Sequence, residues 1–311
     1  MNMIFNIINS MPGAVAQGLI WGIMAIGVYI TYRILDFADL TVDGSMCTGG
    51  AVCVMMILAG YSVPVAMIAA VIAGMLTGLI TGILHTFMGI PAILAGILTQ
   101  LALYSLNLKI MGKANQALNF RNYDLAISLQ YIRKFPIYQN TIFVIAIFTI
   151  VIIAVLYWFF GTESGASLRS TGANPNMSRA QGINTNFNIV LGLMISNGLV
   201  ALSGALLAQY QGFADVQMGR GAIVIGLAAV IIGNALFGKI FRNFALRLLG
   251  VSLGGVIYYI VYQIVICLGL DPDLLKLLSS LIVAIFLAIP FWKKKYFSKP
   301  TKGVNSNAKA E

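Results

Sequence analysis

The chain has 311 residues, of which 59% are hydrophobic and only 9% charged, against roughly 25% charged in soluble domains. That composition excludes a soluble globular domain and defines a polytopic membrane protein. The net charge of +10 does not point to nucleic acid, because the Lys and Arg residues fall in loops and in the C-terminal segment, as the positive-inside rule distributes them.

The first residues, MNMIFNIINSMPG, lack the basic region of a signal peptide, so the first span is expected to be retained. A crossing helix needs about 20 apolar residues, because about 1.5 Å of rise per residue must cover about 30 Å of hydrocarbon. Nine segments qualify: 13–33, 44–60, 62–84, 89–110, 140–160, 188–210, 221–238, 247–269 and 274–291, with 221–238 the weakest. The expected fold class is an all-α transmembrane bundle of about nine spans, in a range of eight to ten. Residues 1–292 form one membrane domain and 293–311 a basic tail.

FWKKKYFSKPTKG puts three lysines beyond an aromatic belt, so the C-terminus reads as cytoplasmic. Nine crossings then put the N-terminus outside, the polar loop 161–187 inside and the loop 111–139 outside, the latter with a short helix expected around YDLAISLQYI. Gly74, Gly78 and Gly82 share a helix face in GMLTGLITG, as do Gly18 with Gly22 and Gly250 with Gly254. Such small-residue faces let helices approach closely in lipid, and packing inside one bundle is favoured over a dimer seam.

Several patterns carry no chemistry. GNALFGKI has Ile240 where a phosphate-binding loop needs Ser or Thr, and it closes a membrane span. The NMS sequon at Asn176 lies on the side read as cytoplasmic. Cys47, Cys53 and Cys267 sit in apolar stretches as small buried hydrophobes, and His85 has no companions for a metal site. No catalytic set is present, so no enzyme is expected. The nine acidic residues read as lying near span ends, which leaves no evident coupling-ion site for a secondary carrier.

Two stretches carry a resemblance. One is GLIWGIMAIGVYITYRILDFADLTVDGSMCTGGAV, from Gly18, a span followed by a phenylalanine-bearing break and a glycine-rich second span. The other is LRSTGANPNMSRAQGINTNFNIVLGLMISNGLVALSGALLAQYQGFADVQMG, from Leu168, with the pattern R…G.N…A…GIN, then a span, then GALL.Q..G. Together they resemble the permease subunits of bacterial ABC importers in the branched-chain amino acid and ribose permease superfamily. DLTVDGS resembles a narrower branch assigned to amino acid uptake, with tryptophan or tyrosine as suggested cargo.

The resemblance implies a type II importer-like permease of the bacterial cytoplasmic membrane, in contact with membrane lipid. It implies a partner ATPase that holds ATP and Mg, a second permease copy forming a homodimer, and an extracellular substrate-binding lipoprotein. It also implies that the 161–187 loop carries a coupling helix that docks on the ATPase. Asn174 suits its N-cap, Pro175 its first turn and Gly182 its end, about two turns later. Gly172 and Ala180 allow close docking, Met177 fills an apolar cleft, and Arg169 and Arg179 meet acidic groups, with Ser170 in the same surface.

The pathway or gate is expected at Asp36, Asp39, Asp43, Asn197 and Ser203. Asp43 also reads as an ordinary N-cap of the second span. Asn197 and Ser203 are six residues apart and cannot share one face, so at least one should make a helix–helix contact. Lys113, Arg121, Asp215 and Arg220 are expected to receive the binding protein. The alternative is an ATP-independent carrier or channel, and a third is a membrane scaffold.

Overall fold

The computed structural model describes residues 2–118, 125–128, 140–238 and 240–267, with Leu277, Ser280, Leu281, Ala284, Ile285 and Ala288. Ten helices are described: α1 (Asn2–Tyr29), α2 (Val42–Leu58), α3 (Val63–Thr86), α4 (Ala92–Met111), α5 (Thr141–Gly161), α6 (Glu163–Ala173), α7 (Pro175–Ala180), α8 (Thr185–Gln211), α9 (Ala222–Phe237) and α10 (Phe244–Cys267). Six of them are long and apolar enough to cross a membrane, while α2 and α9 are shorter apolar helices. Most of the expected span 274–291 and all of the basic tail lie outside the described residues.

The bundle is built around α8. Gly74, Gly78 and Gly82 of α3 all face it, against Asn197 and Ala201, Leu193 and Met194, and Val190 in turn. Gly49 of α2 lies against Ala201, and α8's own Gly204 lies against Met46 of α2. The glycine stripe therefore packs inside the subunit. Gly18 and Gly22 likewise face Val256 and Ser252 of α10, and Gly254 faces α9. A Cβ at Gly78 would strike the Leu193 backbone, so Gly78→Val should cost about 1–3 kcal/mol by overpacking. A clear drop in the midpoint of thermal aggregation in detergent is expected, with Gly161→Ala, which meets open space, as the unaffected control.

One end of the bundle carries α6 and α7. The other carries a two-stranded antiparallel ribbon, β1 (Asn115–Ala117) on β2 (Phe213–Asp215), with Asn115 opposite Asp215. This ribbon departs from the all-α expectation. The short helix expected around 123–132 also departs, since residues 125–128 are not helical and the rest lies outside the described residues.

Two units of the chain run in opposite senses. In the first, α1 descends from the ribbon end, a π-helical turn (Ile30–Ile34) and a non-helical stretch turn back, and α2 runs toward the ribbon. In the second, α8 climbs to the ribbon, residues 216–221 fold back through successive turns, and α9 runs toward the α7 end. Inverted pairs of interrupted helices in membrane bundles concentrate polar backbone where the two units meet.

Candidate functional site

The break after α1 is more than a turn. Asp36 has φ of 53°, the only positive φ of a described non-glycine residue, and it redirects the chain back into the bundle. Leu35, Phe37 and Asp39 are then buried while Asp36 and Ala38 are exposed, the alternation of an extended strand. Leu35 packs on Gly192, and Asp39 reaches Asn197, near the middle of α8. Non-helical backbone at that depth survives only where protein or water satisfies it.

A polar network supplies that satisfaction. Asp39, 2% exposed, accepts from Thr41 N at 2.9 Å and from Asn197 Nδ2 at 2.7 Å. Asn197 accepts from Ser45 Oγ at 2.6 Å, and Ser45 meets Thr77 at 2.6 Å. Thr41 meets Thr81 at 2.7 Å, and Thr81 donates to Thr99 at 3.0 Å. The network ties the return stretch to α2, α3, α4 and α8. None of the five hydroxyl residues joining Asp39 and Asn197 was singled out from sequence. The signal for Thr41 with Ser45 and for Thr77 with Thr81 was i, i+4 spacing along the faces that pack together.

Three expectations need correction here. Asp39 lies in the bundle interior and not near a span end, because the return stretch carries it inward. Asp43 does not cap its own helix. Thr41 is the N-cap of α2, and the Asp43 carboxylate instead accepts from Gly221 N at 2.9 Å and Ile223 N at 3.0 Å, capping α9. The five pathway residues do not form one lining. Ser203 is fully buried and donates to Ile20 O of α1 at 2.8 Å, a helix–helix contact, whereas Asp36 is exposed on the other side of the return stretch.

Arg220 was expected on the outer surface beside Asp215. It is exposed, and it also lines a cavity of about 290 Å³ with Asp43 and Cys47. The reason is the fold-back of 216–221, which brings Gly219 against Asp43 and Cys47. Asp215 stays at the ribbon end, accepting from Asn115 Nδ2 at 3.2 Å and Gln217 N at 2.7 Å, and Lys113 is exposed nearby. Arg121 lies outside the described residues.

At the opposite end, the glycine-rich loop is helical almost throughout. Thr162 caps α6, accepting from Gly165 N at 3.4 Å. Leu168 and Thr171 are buried, and Asn188 of α8 donates to Thr171 Oγ1 at 2.9 Å. Gly165 lies on the Phe159–Phe160 backbone and Gly172 on Ile34 and Leu35. Gly172 is therefore an internal packing residue, not part of a docking face.

Helix α7 begins as its sequence indicates. Asn174 Oδ1 accepts from Met177 N at 3.0 Å, and Pro175 opens the helix. It is six residues long, shorter than two full turns, and Gly182 follows with φ of 81°. Ser178 is buried and meets Ser170 at 3.2 Å, fixing α7 on α6. Arg169 donates Nη2 to Phe160 O at 2.8 Å and Arg179 donates Nε to Thr185 Oγ1 at 2.8 Å, so both arginines are engaged within the chain. What α7 presents outward is Pro175, Asn176, Arg179, Ala180 and Met177, the last 58% exposed.

The chain is thus an apolar bundle with interrupted helices and a capped helical platform at one end. The family model described as branched-chain amino acid transport system / permease component matches residues 10–288. The chain belongs to this family of ABC-type permeases. It is 40% identical over 272 residues to the tyrosine transport system permease protein of Clostridioides difficile (strain R20291), covering 88% of each chain. It is 35% identical over 282 residues to an uncharacterized protein of Rickettsia prowazekii (strain Madrid E), covering 90% of this chain and 97% of that one. An autoinducer 2 import system permease protein of Escherichia coli (strain SMS-3-5 / SECEC) is 31% identical over 223 residues, 70% of this chain and 61% of the relative. No solved structure matches the chain.

Proposed function

We propose that this chain is the membrane subunit of an ATP-driven importer of amino acids, with ATP and Mg held by a partner ATPase. The observation that carries the reading is α7: a short helix, capped by Asn174, seated on α6 through Ser178 and Ser170, with Met177 58% exposed at its tip. A rigid platform under an exposed apolar anchor suits docking into a cleft of another protein. The α7 end then faces the cytoplasm and the ribbon end faces outward, toward a substrate-binding protein that meets Lys113 and Asp215. Two copies of the chain pair, since paired ATPases need paired docking sites.

In this reading the cycle is mechanical. Closure of the ATPases moves α7, and α6 passes that motion to the return stretch, because Gly172 touches Ile34 and Leu35 directly. The Asp39–Asn197 contact is the point at which the stretch is held. An ATP-independent carrier remains the second reading, and the buried Asp39 is the observation that favours it.

Co-purification separates the two. With Pro175→Ala and Arg179→Glu combined, a bound ATPase should be lost while the permease still elutes as a folded membrane protein. A wild-type chain that purifies without any ATPase and moves solute in vesicles lacking ATP would establish the carrier instead.

A further inference from the structure

Two cavities meet at Arg220. The first, about 290 Å³, lies between the start of α2, α4 and the fold-back after the ribbon. Its wall is mixed, with Asp43, Gln100, Asn107 and Gln217 beside Arg220 and with Leu101 and Val216 as apolar lining. The second, about 430 Å³, lies between α1, α9 and α10, and carries Trp21, Tyr258, Tyr259 and Tyr262 beside the same arginine. Neither the aromatic group nor Asn107 stands out in sequence, because they come from three different helices.

Both cavities hold polar atoms with unmet hydrogen bonds. Asn107 is 1% exposed, and neither its Oδ1 nor its Nδ2 has a partner. Trp21 is 6% exposed and its Nε1 has none. Buried polar groups are nearly always paired, so two orphans flanking one arginine mark places for ligand atoms. The Arg220 side chain is exposed, makes only a long contact, Nη1 to Gln217 Oε1 at 3.4 Å, and forms no ion pair among the described residues. The first turns of α2 and α9 converge beside it and add positive potential.

We propose that Arg220 centres the cargo site of this permease and that the cargo is an α-amino acid with an aromatic side chain. The inference rests on the reading of the chain as a transport subunit. The guanidinium takes the cargo carboxylate as a two-pronged pair, which Lys cannot reproduce. The cargo ammonium faces the Asp43 carboxylate and the Asn107 Oδ1. The ring enters the second cavity, where Trp21 and Tyr259, 5.6 Å apart and tilted by 34°, form an aromatic wall. Trp21 Nε1 donates to a polar tip on that ring. At about 290 and 430 Å³ the two cavities stand at the lower end of the roughly 300–1,000 Å³ of small-molecule sites.

The test uses the full transporter, this chain with its ATPase and binding protein, in proteoliposomes supplied with ATP and radiolabelled L-tyrosine. The binding protein is the same in every arm, so any change belongs to this chain. Arg220→Gln should lower the uptake rate about tenfold or more, with only partial recovery in Arg220→Lys. Asn107→Leu and Trp21→Leu should each lower it about fivefold. All four variants should retain the ATPase on purification, which separates a cargo site from a folding role. Wild-type uptake with unchanged rates in Arg220→Gln and Asn107→Leu would overturn the site. A wild-type assembly that carries no aromatic amino acid would overturn the cargo class. Uptake that proceeds without ATP would defeat the importer reading alone, and the same variants would still report on the site.

Discussion

A chain carrying Met177→Glu is expected to insert and fold normally yet lose ATP-driven uptake by about 100-fold, the loss that ~3 kcal/mol of a central apolar anchor produces. Met177 is 58% exposed and makes no side-chain hydrogen bond, so its replacement leaves the permease interior intact. A carboxylate entering an apolar cleft must be desolvated without a partner, which is the strongest repulsion a single residue supplies there. Met177→Leu, similar in volume, should stay within about twofold of wild type. The measurement is uptake in reconstituted vesicles, paired with the amount of ATPase retained on the purified permease. Full uptake in Met177→Glu would remove α7 from the coupling route and leave Pro175 and Arg179 as ornaments of a loop.

The second large effect concerns the return stretch. Asp39→Leu should strongly lower the thermal midpoint of the detergent-purified chain and abolish uptake. It leaves Thr41 N without an acceptor, at about 1–3 kcal/mol for a buried group, and leaves Asn197 Nδ2 with Leu193 O as its one remaining acceptor. Asp39→Asn keeps the acceptor for Thr41 but sets one amide donor against another, so a smaller loss is expected. Asp39→Leu combined with Asn197→Leu should destabilise less than the sum of the single changes, because removing both partners leaves fewer orphaned groups. Strict additivity in that double-mutant cycle would show that the two side chains do not hold the stretch together. Uptake by Asp39→Asn at the wild-type rate would show that the stretch is scaffold and not gate.

Much of this protein was legible in one dimension. Hydrophobic runs of helical length located α1, α3, α4, α5, α8 and α10, because a bilayer demands about 20 apolar residues wherever a helix crosses. Asn174, Pro175 and Gly182 marked α7 because cap, first-turn and stop residues act locally, within a few peptide units. The Gly74–Gly78–Gly82 stripe declared a close helix contact, since four-residue spacing puts three missing side chains on one face.

Other features were invisible for equally physical reasons. Helix α6 reads as a flexible glycine-bearing loop, yet Gly165 and Gly172 are where its backbone touches α5 and the break after α1. Propensity disfavours that helix, and tertiary packing overrides it. The β1–β2 ribbon joins residues 100 apart, a pairing with no local signature. Asp43 carried a correct capping signal directed at the wrong helix, because an N-cap search looks along the chain while Asp43 reaches across it to Gly221 and Ile223.

By itself, then, the sequence determined the membrane class, the long spans, the break after the first span and the start of α7, all set by solvent, length and local backbone chemistry. Only the tertiary structure decided that the break re-enters the bundle at Asp39, that Arg220 lines two cavities, one of them walled by aromatic rings, and that the arginines beside α7 are engaged within the chain. Those are contacts between segments far apart in sequence, and their energies come from burial and shared hydrogen bonds that exist only once the helices have packed.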